Sequence, residues 1–241
     1  MKKLLLIPFA IIATILYARF FPDSIKSISD ERFQYFIADL KKDKVEFFLR
    51  DKNGEYFNKF LLLNKVLKSR NKELTFATNA GMFMTNYLPL GLYIENKKII
   101  TPINKKAGNT NFYLKPNGIL YITKENSAQI VTTEKYKPSS KIKYATQSGP
   151  MLLIDGKINK QFKKASLNLN IRSGVGIMKN GEILFAISKI PVSFFDFAEY
   201  FKRSNCANAL FLDGGISEFY YPDQGMTDNI NNFGPIIAVV K

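Results

Sequence analysis

The chain contains no histidine and no tryptophan, and its one cysteine is Cys206. The missing histidine excludes Ser-His-Asp and Cys-His triads, the usual imidazole base and most catalytic zinc sites. A single cysteine excludes an intrachain disulfide. Any catalysis must therefore rest on carboxylates, Arg, Lys, Tyr, Ser or Thr hydroxyls, amides and backbone groups. Long low-complexity stretches are also missing. With 46% hydrophobic residues among 241, the chain has material for a real core in one domain.

What is abundant is lysine. The formal net charge is +15, dispersed in pairs such as Lys41-Lys42, Lys97-Lys98, Lys105-Lys106 and Lys163-Lys164. Dispersed charge is a weak form of a nucleic-acid footprint, so no nucleic-acid partner is expected. An acidic or phosphorylated substrate fits the sign of the charge.

Lys2 and Lys3 precede an apolar run over residues 4–16. This is the grammar of a secretory signal and is shorter than a full membrane span. Residues 1–20 are expected to be a signal peptide or an N-terminal membrane anchor held through residues 4–17. The expected location is periplasmic or extracellular. The expected division is an N-terminal flank over 21–70 and a single catalytic domain over 71–241.

Apolar spacing predicts helices over 29–41, 58–68 and 193–203. Strands are expected over 45–49, 74–78, 90–94, 99–101, 112–114, 119–123, 151–154, 175–178, 183–188, 209–212 and 236–240. Asn53-Gly54, Asn117-Gly118, Asp155-Gly156 and Asn180-Gly181 read as turns between them. The predicted class is α+β, with a large mainly antiparallel or mixed sheet and flanking helices.

Four segments place polar residues and glycines where strands end, which is where sites tend to be built. In Asn79-Ala80-Gly81-Met82-Phe83, the Asn79 amide can orient a ligand oxygen, and Gly81 permits close backbone approach. Gln147-Ser148-Gly149-Pro150 offers hydrogen-bonding groups in a loop; without histidine, Ser148 lacks the usual base of a nucleophile. Arg172-Ser173-Gly174-Val175-Gly176 supplies a guanidinium able to hold two phosphate oxygens. Finally, an apolar strand delivers Asp213 to Gly214-Gly215, with Ser217 and Glu218 close behind. The glycines expose backbone N–H groups as an anion nest.

Taken in order, these four segments resemble the phosphodiester glycosidase family, over roughly residues 70–241. The resemblance implies cleavage between a sugar C1 and a phosphodiester oxygen. It implies catalytic roles for Asp213, Arg172 and Glu218. Substrate contacts would come from Asn79, Gly81, Gln147, Ser148, Gly214, Gly215 and Ser217. The family pattern usually has a third glycine where this chain has Ile216, which narrows the space beside Asp213. The expected partner is a carbohydrate or phosphoglycan, with membrane association through the leader. No cofactor is required; a Ca²⁺ or Mg²⁺ ion would fit only if Asp196, Asp213, Glu218, Asp223 and Asp228 converge. The competing reading is a non-catalytic envelope protein that binds a phosphoglycan or polysaccharide.

Overall fold

The computed structural model describes residues 28–213, 215–227 and 230–241. The leader expected over residues 1–20 lies outside them, as do Gly214 and Asp228. Among the described residues no helix is long and apolar enough to cross a membrane.

The chain opens with β1 (Phe33–Ala38), β2 (Lys44–Phe48), helix α1 (Phe60–Lys68) and β3 (Leu74–Asn79). Then come β4 (Tyr93–Glu95), β5 (Lys98–Thr101), β6 (Gly118–Thr123), β7 (Ala128–Thr132) and β8 (Ile142–Ser148). The second half runs β9 (Met151–Ile154), β10 (Lys157–Ile158), β11 (Ser173–Met178), β12 (Ile183–Ser188) and helix α2 (Phe194–Arg203). It closes with β13 (Cys206–Phe211), β14 (Phe219–Tyr220) and β15 (Ile236–Val240).

These strands form three sheets, ordered β1-β12-β11-β13-β9-β10, β14-β3-β15-β2 and β5-β4-β8-β6-β7. Every named strand pair is antiparallel. The α+β class therefore holds, with the strands divided among three sheets. The segment before residue 70 contributes β1, β2 and α1 to this framework.

One central core draws on all three sheets, through residues such as Phe47, Phe76, Tyr93, Leu120, Tyr144, Val175, Phe185 and Leu210. The helices cover outer faces. Helix α2 packs Phe197, Ala198 and Phe201 against the outer face of the first sheet. Helix α1 lays Phe60, Leu63 and Leu67 on the second. Helix α2 begins where Ser193 caps it: the Ser193 hydroxyl accepts from the Asp196 N–H at 3.1 Å. Asp196 in the first turn and Lys202 and Arg203 in the last complement the helix dipole.

Three local expectations are corrected. Residues 29–41 are not a helix; β1 (Phe33–Ala38) takes their centre. Phe33, Tyr35 and Ile37 join the α2-side cluster while Phe36 and Ala38 join the central core. Both faces are apolar, so the period of two was hidden and the apolar spacing also fitted a helix. Residues 112–114 form no strand; a 3-10 turn spans Asn111–Tyr113. Asn117-Gly118 is not a hairpin turn. Asn117 is buried, its Nδ2 donating to Phe112 O at 2.9 Å, and Gly118 starts β6.

Candidate functional site

The four glycine-bearing segments meet at one end of the strands. β3 ends at Asn79, β8 ends at Ser148, β11 begins at Ser173, and β13 runs out just before Asp213. Hydroxyl groups tie them together. Ser148 Oγ donates to Leu212 O at 2.6 Å. Ser173 Oγ lies 3.1 Å from Asn79 Oδ1 and 3.2 Å from Asp213 O. Ser217 Oγ lies 2.6 Å from Asp213 O and 3.1 Å from Ser173 Oγ.

Each hydroxyl has one proton, so these contacts cannot all be donated at once. The shortest contact assigns the Ser217 proton to Asp213 O. The Ser173 proton then goes to Asn79 Oδ1. The Leu212 carbonyl is thus held by Ser148 of β8, and the Asp213 carbonyl by Ser217 of its own segment.

Asp213 is half-buried, and its side chain turns back on its own loop. The Gly215 N–H donates to Asp213 Oδ1 at 2.9 Å. Burial pushes the carboxyl above its usual range, against the opposing pull of the Gly215 and Ile216 N–H groups. Among the described residues it has no cationic partner.

Arg172 is 1% exposed and also lacks an ion-pair partner among the described residues. Adjacent strand positions point to opposite faces. Ser173 therefore looks into the hydroxyl cluster, while the Arg172 side chain lies on the α2 face. There its guanidinium carbon sits 3.7 Å from the centre of the Phe194 ring and 5.6 Å from that of Phe211. Nε donates to Val192 O at 2.8 Å and Nη2 to Asn168 O at 2.9 Å. Nη1 donates to no described residue. Burial lowers its pKa to about 10, so it stays charged at neutral pH. In the β11–β13 register Gly174 pairs with Phe211.

The other predicted residues are placed as follows. Gln147 ends in the scaffold: Oε1 accepts from the N–H groups of Leu92 and Asn104, both at 2.9 Å. Its Nε2 donates to Asn104 O at 2.7 Å and Thr133 Oγ1 at 3.2 Å. This pins the segment around residues 92–104 to β8. Gly81 packs so closely on β8 that an added Cβ would collide with Gln147 O and Thr146 Oγ1. Glu218 Oε1 accepts from the Asn231 N–H at 3.0 Å, and the Asn231 side chain also donates to it. Gly215 is exposed, with its N–H on Asp213. Among the described residues no three acidic or cysteine side chains converge as a metal-binding group.

Sequence reasoning singled out Arg172 and passed over its neighbour Ser173, which bridges three of the four segments. Strand alternation was the available signal: two consecutive residues entering a strand cannot both face one site. Thr146, whose Oγ1 accepts the Gly81 N–H at 3.1 Å, was missed as well.

Two clefts open elsewhere. One, about 430 Å³, is lined by Lys41, Lys44, Glu46, Lys72 and Lys143, near the strand ends remote from Asn79 and Ser148. Another, about 480 Å³, is bordered by Ile94, Ile99, Tyr136 and Ile142. None of the four segments lines either cleft.

Comparison with known proteins agrees with this frame. Residues 72–235 match the phosphodiester glycosidase family. The chain is similar to YigE of Escherichia coli K12, 35% identical over 188 residues, covering 78% of this chain and 73% of that protein. In structure it is similar to the catalytic domain of zebrafish N-acetylglucosamine-1-phosphodiester α-N-acetylglucosaminidase, solved in a form auto-inhibited by its pro-peptide. The TM-score is 0.58 at 14% identity, over 86% of this chain and 82% of that one. A Burkholderia pseudomallei K96243 protein described as exported gives a TM-score of 0.53 at 10% identity, over 86% and 73% of the two chains. At these identities the structural likeness speaks for the fold, and the family match covers more than half the sequence: the chain belongs to the phosphodiester glycosidase family.

Proposed function

We propose that the protein hydrolyses a sugar-1-phosphodiester, cutting between the anomeric carbon and the phosphate oxygen. The substrate class is a phosphoglycan or exopolysaccharide-related molecule, met in the periplasm or outside the cell. The observation that carries this reading is the convergence of Asn79, Ser148, Ser173, Asp213 and Ser217 through hydrogen bonds. It presents a half-buried carboxyl with no cationic partner among the described residues.

The chemistry suits a chain without histidine. An ordinary glycoside needs a carboxylic acid to protonate a basic leaving oxygen. From a sugar-1-phosphodiester the departing group is a phosphate monoester, a weakly basic anion that needs electrostatic help alone. In this scheme Asp213 takes a proton from water as the water oxygen bonds to C1. The C1–O bond breaks, and its electron pair departs with the phosphate. The raised pKa of Asp213 makes it a better base than an exposed carboxylate. Arg172, buried on the α2 face of the same strand end, adds positive charge to the field at the departing phosphate without contacting it. Asn79, Ser217 and Gly215 border the sugar and phosphate, and Glu218 stands as a second carboxylate. Gly81, Gln147 and Ser148 shape the wall behind them.

The test is turnover of a panel of sugar-1-phosphodiesters by the full chain and by Asp213→Asn. The expected result is release of reducing sugar, with kcat/KM falling on the order of hundredfold or more in the variant. Saturable binding without product would favour the non-catalytic phosphoglycan binder. Full turnover by Asp213→Asn would remove the carboxyl from the mechanism.

A further inference from the structure

The segment from Asn159 to Ile171, next to Arg172, carries features that the hydrolytic scheme leaves unused. Its ends are fixed. Asn159 is buried and donates to Met151 O at 3.0 Å. Phe162 stacks on Phe194 with ring centres 5.0 Å apart. Asn168 O holds the Arg172 guanidinium, and Asn170 exchanges backbone hydrogen bonds with Val192 at 3.2 and 2.9 Å. Between these anchors the chain pushes apolar side chains into solvent. Leu167 is 92% exposed and Leu169 48%, and Ile190, on the segment that pairs with this one, is also 48% exposed. With both ends anchored, Leu167 cannot reach the core by a small shift.

The charge pattern is equally one-sided. From residue 156 to residue 181 the sequence has no Asp or Glu, while Lys160, Lys163 and Lys164 lie in the exposed stretch. Lys189 adds a further exposed cation beside Ile190. Among the described residues, none of these lysines forms an ion pair.

From this arrangement we infer that Leu167, Leu169 and Ile190, with the exposed Lys163, Lys164 and Lys189 close to them in sequence, form a lip that docks on an anionic phospholipid surface beside the candidate site. Aliphatic tips between lysines are the pattern of an interfacial segment: the tips enter the boundary region and the ammonium groups meet lipid phosphates. A protein partner fits less well, because protein interface cores are depleted in lysine and enriched in aromatics. A second copy of this chain would set lysine against lysine across a two-fold axis. Docking here would bring the Arg172–Asp213 end of the strands to substrates that are themselves held at the membrane. The inference goes beyond the catalytic reading: lipid contact is read without substrate, so either can fail alone.

The test uses the full chain with an environment-sensitive fluorophore on Leu167→Cys, and a control label on Asn180→Cys. Asn180 lies in the β11–β12 turn, at the far end of β11 from Arg172. Native Cys206 is buried and leaves the introduced thiol as the reactive one. Both proteins share residues 1–27, so any binding by that segment is common to them. The expected result is a blue-shifted, brighter emission at position 167 on phosphatidylglycerol-containing vesicles, weaker on pure phosphatidylcholine, with little change at 180. Adding Lys163→Glu and Lys164→Glu should weaken that response on the order of tenfold. No shift at 167, an equal shift at 180, or a response indifferent to the two charge reversals would each overturn the inference. An unchanged circular dichroism spectrum excludes unfolding as the source of a lost signal.

Discussion

Two acidic residues in this molecule have opposite surroundings. Asp30, near the start of the described chain, sits between two arginines: Arg32 Nη2 at 2.9 Å and Arg203 Nη2 at 2.7 Å. The Arg32 hydrogen bond leads in holding its carboxyl far below the usual range, against the effect of burial. Asp213 receives backbone N–H groups but no cation among the described residues, and burial raises it. The arginines divide in the same way. Arg203 is half exposed and paired, whereas Arg172 is buried among two aromatic rings and backbone carbonyls. Asp30 ties the N-terminal end of β1 to the end of α2, and its charge is neutralised in doing so. At the candidate site neither Asp213 nor the buried Arg172 has an ion-pair partner among the described residues, which is costly for folding and useful for chemistry.

Substitutions can break this contrast. The largest stability effect is expected from Arg172→Ala, which strands the Val192 and Asn168 carbonyls and opens space beside Phe194. A loss of about 3 kcal/mol in urea unfolding is expected. A neutral result would mean that the aromatic pocket tolerates an empty site.

A smaller effect is expected at the paired carboxylate. Asp30→Asn should lose about 1 kcal/mol, because both arginines are substantially exposed and solvent screens them. A loss as large as that of Arg172→Ala would erase the distinction drawn between the two regions.

The smallest effect lies in pH dependence, and its sign sharpens the comparison. Asp30 has a depressed folded pKa, so its contribution is present above about pH 4 and fades as pH falls through and below that value. Asp213 has a raised folded pKa. Its contribution is present below the unfolded value and is lost as pH rises through the folded one. Unfolding midpoints measured from strongly acidic to neutral pH should therefore lose part of their acid-side fall in Asp30→Asn. In Asp213→Asn they should lose part of their decline toward neutral pH. Identical pH profiles for the two variants would contradict these assignments.

The sequence made some of this architecture readable, for definite reasons. Asp155-Gly156 announced the β9–β10 hairpin, and both residues do have positive φ, +50° and +75°. Ser193 announced the start of α2. Strands β7 and β8 were not read. Gln129 interrupts β7 with an exposed polar group, and β8 ends in Thr146, Gln147 and Ser148, which look like a loop. Those three polar residues are buried because distant segments satisfy them: Gly81, Leu92, Asn104 and Leu212. No local pattern carries that information. The same limit applied at the site. The four segments were visible as separate phrases, but the division of Arg172 and Ser173 between two faces of a sheet needed the register of β11 against β13.

The clamp around the Asp213 backbone contains hydroxyls, an amide and carbonyls, and no formal charge. Dissolved ions weaken attractions between exposed charges over distances of roughly 10 Å, yet they have little hold on buried neutral dipoles. In brackish or dilute surroundings alike, the geometry of the carboxyl loop should stay constant. Adhesion of the proposed lip would fade as electrolyte rises, leaving a fixed candidate site whose address, and not its shape, answers to the medium.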